Sequence, residues 1–227
     1  TIQPYSPAAG TGLSSHELNQ PGTYKPVKDT SVVALFKVKR DAKSDFLFAD
    51  AFGDVFIMAW TTTPWTLPSN TALTIMPSQL YSRVKTFNPY TGEPQTVILA
   101  KPILLMGRYF QEKNNPDFLR EIARTLGPNE PDPFRVYDGS GKNIPWKRAG
   151  EYYGYDLEGI RYEQLLPYGT PEGGDAFKVI GGDFVTTEDG TGVVHTAPSF
   201  GADDMRVARQ HNIGTLTLVD LQGRFTK

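Results

Sequence analysis

Short runs of β-branched, aromatic and aliphatic residues, separated by turn residues, recur along the chain and predict a protein built mainly from short strands. The most hydrophobic run, DVFIMAWTTT at residues 54–63, predicts a central strand. Regular pairing should fail near Pro64, because proline has no backbone N–H to donate to a neighbouring strand. The predicted strands cover Ser31–Arg40, Asp54–Thr63, Ala72–Ile75, Tyr81–Thr86, Gln95–Leu99, Phe177–Ile180, Gly192–Thr196 and Thr215–Val219.

Two other segments carry helical patterns. In Pro116–Leu126 the apolar residues fall on one face at helical spacing, with Asn115 in position to cap the N-terminus. Asp203–His211 follows a glycine, begins with acids and ends with basic and polar residues, an order that the helix dipole favours. The chain from about residue 128 to residue 174 shows no regular pattern, so we expect irregular structure there.

Many short strands with few helices predict a mainly β fold, a β-barrel core with helical decorations. Its 22 glycines and 18 prolines suit a fold with many turns. Residues 1–30 are rich in Pro, Gly, Ser and Thr and lack periodicity, so we expect an N-terminal extension or linker. Residues 31–227 should then form the functional domain.

The charge balance and the absence of cysteine exclude several classes of function. The 23 basic and 25 acidic residues give a net charge of −2, so the chain lacks the cationic surplus of a stand-alone nucleic-acid binder. The sequence has no cysteine, which excludes disulfides, thiolate metal sites and a cysteine nucleophile, and fits a reducing compartment. No apolar run approaches the ~20 residues of a membrane helix. Since the chain begins at Thr1, we expect a soluble, cytoplasmic piece of a longer protein without membrane contacts.

Standard catalytic and cofactor motifs are missing from the sequence. There is no Gly-x-Ser-x-Gly elbow and no Walker phosphate loop, and Gly10-Thr11-Gly12 follows no predicted strand, which argues against a dinucleotide site. The histidines lie far apart without metal-ligand spacing. His195 with Asp203 or Asp204 would supply too few ligands for a convincing metal site.

The first segment with candidate chemistry is WTTTPWTLPSN at residues 60–70. On a strand, Thr61 and Thr63 face one way and Thr62 the other, so two hydroxyls should project together. Hydroxyls at a strand end broken by proline could hold a water or a ribose. Threonine also simply favours strands, and composition alone supports that simpler explanation better.

The second segment is GTGVVHTAPSFGADD at residues 190–204, which predicts a strand, a tight loop and the start of a helix. His195 would lie at the strand end and the two acids at the helix N-terminus, so all three could meet at one pocket mouth. We expect Asp203 to be the N-cap. Asp204, one position further, would point elsewhere and be free to meet a cation. From chemistry alone, a pocket and an ordinary helix start are equally supported.

Together these two segments resemble the editing domain of isoleucyl-tRNA synthetase, the connective insertion shared by the isoleucyl, valyl and leucyl enzymes of class I. The resemblance rests on TTTPWTLPSN, on GTGVVHTAP followed by DD, and on the supporting stretches YSPAAG and LEGIRYE with Pro167-Tyr168. It covers nearly the whole chain. One departure is Ser199-Phe200-Gly201, where many bacterial relatives have Gly-His-Gly, so no role of that second histidine can be transferred. The synthetic-site signatures His-x-Gly-His and Lys-Met-Ser-Lys-Ser are absent, so we expect no adenylate formation or tRNA charging by this segment.

The resemblance implies hydrolysis of valyl-tRNA(Ile) after transfer, in a pocket too small for isoleucine. It implies that Asp204 pairs with the α-ammonium group of the substrate. It also implies that Thr62 and Thr63, with Thr61, line the site and hold the adenosine or the attacking water.

Other positions of the two motifs have implied roles as well. His195 stands where the family has a residue that limits side-chain size and touches the terminal ribose, and we include it among the catalytic candidates. Thr66 and Asn70 match polar positions that contribute to substrate binding. No metal and no cofactor is implied for this segment; ATP, and zinc if present, would belong to the full-length parent enzyme.

Two alternative functions remain open at this point. The first is the editing domain of a valyl-tRNA synthetase acting on threonyl-tRNA(Val), and the second is a module that binds the tRNA acceptor end without catalysis. The expected partners are the acceptor end of tRNA(Ile) carrying valine and the remainder of the parent synthetase. We expect the segment to be a monomer.

Overall fold

Strands account for most of the regular structure in the computed structural model, which describes residues 2–115 and 133–226. The strands are β1 (Tyr5–Ser6), β2 (Thr11–Gly12), β3 (Val32–Lys37), β4 (Asp54–Thr61), β5 (Ala72–Ile75), β6 (Leu80–Phe87), β7 (Pro94–Ala100), β8 (Lys147–Tyr153), β9 (Lys178–Gly181) and β10 (Val193–Thr196). The helices are α1 (Ser15–Leu18), α2 (Asp45–Phe48), α3 (Lys101–Leu105), α4 (Pro133–Val136), α5 (Gly154–Leu157) and α6 (Ala202–Gln210), with 3₁₀ turns at Pro64–Ser69 and Glu112–Asn114. The predicted helix Pro116–Leu126 lies outside the described residues.

All the strands except β1 and β2 form one mixed sheet, which curls into a half-barrel. The order is β8-β6-β7-β4-β10-β5-β9. Strand β7 and strand β10 share one edge of β4, and β3 pairs with its opposite edge. The mainly β fold predicted from the sequence is therefore confirmed. No helix within the described ranges has the length and hydrophobicity needed to cross a bilayer.

Strand β4 is the centre of this sheet, as its hydrophobic run predicted. Its first half runs parallel to β7, and its end runs parallel to β10, where Val194 lies opposite Trp60. Strand β10 also pairs antiparallel with β5, so that His195 lies opposite Leu73. The change of neighbour along β4 places the end of β10 beside the end of β4, and both strands finish at the same edge.

A continuous hydrophobic core packs against the sheet and fixes the strands. Its largest fully buried side chains include Phe36, Ile57, Tyr81, Leu99 and Tyr162. A smaller cluster holds helix α6 against β5 and β9, and consists of Ala72, Ile180, Val207, Ala208 and Ile213. Burial of these side chains supplies the main stabilisation of the fold and of the helix position.

Two predictions about secondary structure are wrong. Thr215–Val219 forms no strand and makes only isolated bridges, from Thr215 to Glu172 and from Val219 to Phe225. Strand β8 occupies part of the region expected to be irregular. Its composition does not identify it as a strand, because it is an edge strand that, among the described residues, pairs only with β6. Charged residues and a glycine therefore replace the apolar run of a central strand.

The N-terminal thirty residues contain more local order than expected. Strands β1 and β2 form a small hairpin in which Tyr5 lies opposite Gly12. Helix α1 begins with a capping box, in which Ser14 and Glu17 satisfy each other's backbone N–H groups. The division into an extension and a domain at residue 31 stays a prediction.

Candidate functional site

A cavity of about 410 Å³ opens where β4 and β10 end. Because these strands run parallel, their carboxyl ends deliver side chains to the same place. The cavity wall combines threonine hydroxyls, two tryptophans, a histidine and two carboxylates. Its lining residues are Trp60, Thr61, Thr62, Thr63, Trp65, Thr66, Phe184, Thr186, Asp189, Gly190, Thr191, Gly192, Val193, Val194, His195, Ala197, Phe200, Gly201 and Asp204.

Thr61 at the end of β4, with Thr62 and Thr63 after it, forms one wall of the cavity. The hydroxyls of Thr61 and Thr63 lie 3.2 Å apart, and the N–H of Thr63 donates to the Thr61 hydroxyl at 3.0 Å. The predicted projection of these two hydroxyls together is confirmed. Thr61 is buried, whereas Thr62 and Thr63 are exposed to the cavity and solvent. Strand β4 ends at Thr61 and a 3₁₀ turn begins at Pro64, as the missing proline N–H predicted.

His195 lies at the end of β10, buried to 6 % exposure, with both ring nitrogens engaged. Its Nδ1 lies 2.9 Å from Nδ2 of Asn70, and its Nε2 lies 3.0 Å from the hydroxyl of Thr66. That hydroxyl donates in turn to the carbonyl of Thr63 at 2.8 Å. Burial lowers the pKa of His195 to about 4, so the imidazole is neutral at pH 7.

The two adjacent acids at the start of α6 have different environments. Asp204 lines the cavity, and its carboxylate accepts the N–H of Ala197 at 2.8 Å. Asp204 is partly buried, and the resulting desolvation of its carboxylate raises its pKa. The Asp203 carboxylate lies 3.4 Å from Arg206 and is mostly exposed.

The prediction that Asp203 caps helix α6 is wrong. The N-cap is Gly201, and neither acid caps the helix with its side chain. Both acids lie in the first turn, where the helix dipole still favours negative charge. The helix itself was predicted to within one residue at each end.

The loop Gly190-Thr191-Gly192 forms another part of the cavity wall. Gly190 and Gly192 have φ angles of +70° and +72°, a conformation that side chains disfavour. A Cβ on Gly192 would also lie 2.3 Å from the Cβ of Ala100. The buried hydroxyl of Thr191 donates to the carbonyl of Met58 at 2.7 Å, which anchors the loop to β4. No pattern in the sequence predicts this role of Thr191.

Sequence reasoning also missed two aromatic residues at the cavity. The rings of Trp65 and Phe200 meet edge to face, with centroids 4.9 Å apart. Phe200 occupies the position where the sequence departs from the Gly-His-Gly pattern, and its contact with Trp65 could not be anticipated from spacing. Asn70 lies behind the lining and reaches the site only through His195.

The described residues contain no group of three or more His, Asp or Glu side chains that could hold a metal ion. His195, Asp203 and Asp204 therefore do not form a metal centre in this part of the chain. The site offers hydroxyls, a neutral imidazole and a desolvated carboxylate. Such a set can bind a cationic, hydroxyl-bearing ligand and orient water.

Comparison with known proteins identifies the family. The isoleucine–tRNA ligase of Cytophaga hutchinsonii is 54 % identical to this chain over 237 aligned residues, which include 100 % of the chain. The chain belongs to the isoleucine–tRNA ligase family. The enzyme of Porphyromonas gingivalis is 52 % identical over 98 % of the chain. The chain spans only 19 % and 18 % of these two ligases, so it corresponds to one segment of them. No family model matches the chain.

Solved structures place this ligase segment among the editing domains by fold. GlLeuRS-CP1 has a TM-score of 0.52 at 15 % identity, with 80 % of this chain and 60 % of that chain covered. The editing domain of the P. knowlesi cytosolic leucyl-tRNA synthetase has a TM-score of 0.51 at 12 % identity, with 79 % and 62 % covered. At such low identity the likeness concerns the fold alone. The ligase segment thus has the fold of a synthetase editing domain.

Proposed function

We propose that this chain hydrolyses the ester bond of valyl-tRNA(Ile) and so removes valine that the parent synthetase has attached in error. One observation carries the proposal: the partly desolvated carboxylate of Asp204 borders the same cavity as the hydroxyls of Thr61 and Thr63. The mischarged tRNA end offers matching groups, an α-ammonium next to an ester and the hydroxyls of a ribose. The relationship to isoleucine–tRNA ligases favours valine as the amino acid.

Asp204 is proposed to bind the α-ammonium group of the substrate. This carboxylate has lost part of its solvent, which raises its pKa. A cation that enters the cavity replaces the lost solvation for both charges, and such desolvated pairs couple strongly. The hydrogen bond from Ala197 fixes the direction of the carboxylate without neutralising it.

Thr61, Thr62 and Thr63 are proposed to hold the terminal adenosine and to orient the attacking water. The water oxygen adds to the ester carbonyl carbon, the bond to the 3′-oxygen breaks, and that oxygen takes up a proton as valine leaves. An ester is already activated, so a positioned water and hydrogen bonds to the developing oxyanion can supply much of the acceleration. The proposed reaction uses no covalent nucleophile, no metal and no cofactor in this segment.

His195 is proposed to limit the size of the amino acid and to touch the terminal ribose. Its low pKa and its two occupied nitrogens make it a poor general base, which favours the size-limiting role over proton transfer. A second pocket is useful because one missing methylene is worth only ~1–3 kcal/mol in the synthetic site, a general figure for which isoleucyl-tRNA synthetase is the standard example. Steric exclusion of the larger isoleucine then protects the correct product. Thr66 and Asn70 support substrate binding by holding this imidazole.

The proposed partners are the acceptor end of tRNA(Ile) and the remainder of the parent synthetase, in the cytoplasm. The segment is proposed to act as a monomer, with ATP needed only by the full-length ligase. These assignments rest on the relatives and not on contacts within this chain.

A deacylation assay tests the proposal. The chain and its Asp204→Asn variant are incubated with valyl-tRNA(Ile) and isoleucyl-tRNA(Ile), and release of the amino acid is followed over many turnovers. We expect release of valine, little release of isoleucine, and a large loss in the variant. Preferential release of threonine from threonyl-tRNA(Val) would assign the chain to valyl editing instead. Binding of charged tRNA without turnover would leave only a binding module.

A further inference from the structure

Tyr162 is fully buried behind the cavity and does not line it. Its ring packs edge to face against Phe36 and Phe177, with centroids 5.3 Å and 6.1 Å away. Its hydroxyl donates to Oδ1 of Asn70 at 2.7 Å. Tyr162 and Asn70 are 92 residues apart in sequence, and their hydrogen bond is a specific polar contact in a largely apolar environment.

The hydrogen bonds around Asn70 determine which nitrogen of His195 carries the proton. Nδ2 of Asn70 donates to the carbonyl of Ala72 at 2.8 Å, and a carbonyl can only accept, so the amide nitrogen must be on that side. The same nitrogen lies 2.9 Å from Nδ1 of His195, which must therefore be the unprotonated acceptor. The neutral ring then carries its proton on Nε2.

The series of hydrogen bonds continues in the same direction on the other side of the His195 ring. The Nε2–H of His195 donates to the Thr66 hydroxyl at 3.0 Å, and that hydroxyl donates to the carbonyl of Thr63 at 2.8 Å. One ordered series of donors thus runs from the Tyr162 hydroxyl to the threonine wall of the cavity. Asn70, His195 and Thr66 each accept one bond and donate the next, which fixes their polar orientations together.

We propose that Tyr162 is a positioning residue, which holds the amide of Asn70 and through it the position of the His195 ring. The idea rests on the proposed function, in which His195 limits the size of the amino acid. Tyr162 would then contribute to that function although it lies outside the cavity and touches no substrate.

Loss of the Tyr162 hydroxyl would leave Oδ1 of Asn70 buried without a donor. A buried acceptor without a partner is costly, so the amide is displaced from its position. It does not flip, because Oδ1 would then face the Ala72 carbonyl, and the tautomer of His195 stays the same. The amide is held at one end only, so the imidazole that it contacts shifts beside the substrate.

Nitrogen NMR of the chain labelled with ¹⁵N-histidine tests this directly at pH 7. His195→Gln assigns the resonances, since the sequence has three histidines. In the unmodified chain we expect the pattern of a neutral ring protonated at Nε2. A ring protonated at Nδ1 would overturn the proposal, even if no Tyr162 variant folds.

Tyr162→Phe keeps the ring and removes only the hydroxyl. We expect the Nε2–H tautomer to persist but the His195 ring resonances to shift or broaden, and unchanged His195 resonances would overturn the proposal. Tyr81→Phe is the matched control, because Tyr81 is as deeply buried and its hydroxyl donates to the Gly192 carbonyl at 2.7 Å. Both variants should lower the Tm by similar amounts, whereas only Tyr162→Phe should change the His195 resonances.

Deacylation supplies the second readout. Tyr162→Phe should reduce the preference for valyl over isoleucyl ester by roughly tenfold, of the order produced by one lost neutral hydrogen bond. An unchanged preference together with changed His195 resonances would show that the position of His195 does not control selection, and would overturn that part. Absence of deacylation in the unmodified chain would instead refute the proposed function, because the NMR readout needs no activity.

Discussion

The carboxylate of Asp204 accepts the backbone N–H of Ala197 at 2.8 Å, across the loop that joins β10 to α6. This bond ties the helix start to the strand end and presents the carboxylate at the cavity wall. Asp203, the preceding residue, instead lies 3.4 Å from Arg206 at the surface. Two chemically identical neighbours therefore have separable roles.

Replacing Asp204 should impair substrate recognition more than any other single change at the site. Asp204→Asn keeps an oxygen that can accept from Ala197 but removes the charge. Loss of one partner of a desolvated charge pair costs ~2–5 kcal/mol, or roughly 30- to several-thousand-fold in kcat/KM for valyl-tRNA(Ile). Deacylation rates and the Tm of each variant provide the measurement.

Asp203→Ala is the control for this change. It removes only an exposed ion pair with Arg206, which contributes little to stability, and hydrolysis should remain near the unmodified level. If Asp203→Ala abolishes activity while Asp204→Asn retains it, the ammonium group is bound by the other acid.

Gly201→Ala should act on the reaction through Asp204. The φ angle of Gly201 is −131°, which suits any residue, so the backbone accepts the change. The new Cβ would lie 3.0 Å from Cγ and 3.1 Å from Oδ2 of Asp204, so the carboxylate must shift by a few tenths of an ångström. We expect kcat/KM to fall by about tenfold, the equivalent of ~1.4 kcal/mol. The substitution should cost almost nothing when it is added to Asp204→Ala; a full additional loss in that double variant would contradict the mechanism.

His195→Ala should relax the size limit. Removal of the imidazole opens space beside the substrate, so the variant should release isoleucine from isoleucyl-tRNA(Ile) while it still hydrolyses the valyl ester. His195→Gln, which retains more of the volume, should relax selection less. Rates on both charged tRNAs distinguish the outcomes: complete inactivity of His195→Ala on both esters would indicate a catalytic group instead of a size limit.

The buried imidazole should also make stability depend on pH. Burial lowers the pKa of His195 from 6.5 to about 4, so the unfolded chain binds this proton more readily than the folded one. The free energy of unfolding should therefore fall as the pH drops from about 6.5 to about 4, by up to ~3 kcal/mol. Because the raised pKa of Asp204 acts in the opposite direction, the measurement uses the Asp204→Asn background. Urea unfolding across this range should show a weaker dependence when His195→Gln is added, and an equal dependence would refute the assignment.

Whole tRNA should bind the isolated segment weakly. A net charge of −2 cannot neutralise many phosphates, and phosphate contacts dominate the affinity of proteins for nucleic acids. A small analogue of the aminoacylated terminal adenosine should still bind, because its contacts are local to the cavity. Titration of both ligands at physiological salt measures the difference, and submicromolar affinity for tRNA would contradict this expectation.

The sequence reveals features that depend on local patterns. Ala72–Ile75 was predicted to the residue, because an apolar run between polar turns suits a buried strand. The Thr61 and Thr63 hydroxyls face the same way, as the alternation of side chains predicts, and the N–H of Thr63 brings them into contact by donating to Thr61 just after β4 ends. At Thr215–Val219 the alternation is real, since Leu216 and Leu218 are buried, but the segment makes only isolated bridges and no ladder forms.

Features that depend on distant contacts could not be predicted in this way. The Tyr162 hydroxyl contacts Asn70, which is 92 residues away in sequence, and no periodicity predicts such a contact. The cap of α6 was misassigned because Asp203 is a favoured capping residue, whereas the loop geometry gives that position to Gly201. Strand β8 was missed because pairing on one side alone leaves little trace in its composition.

The place of β10 between β4 and β5 has a consequence for how the site comes into being. Those two strands follow each other along the chain but do not pair, and β10 is made more than a hundred residues later. During synthesis on a ribosome, the position between β4 and β5 stays empty until β10 emerges and pairs with both strands. Such non-local pairing is slow and leaves strand edges exposed meanwhile. His195 arrives with that strand, so the cavity is completed in one late step and a chain shortened before β10 has none.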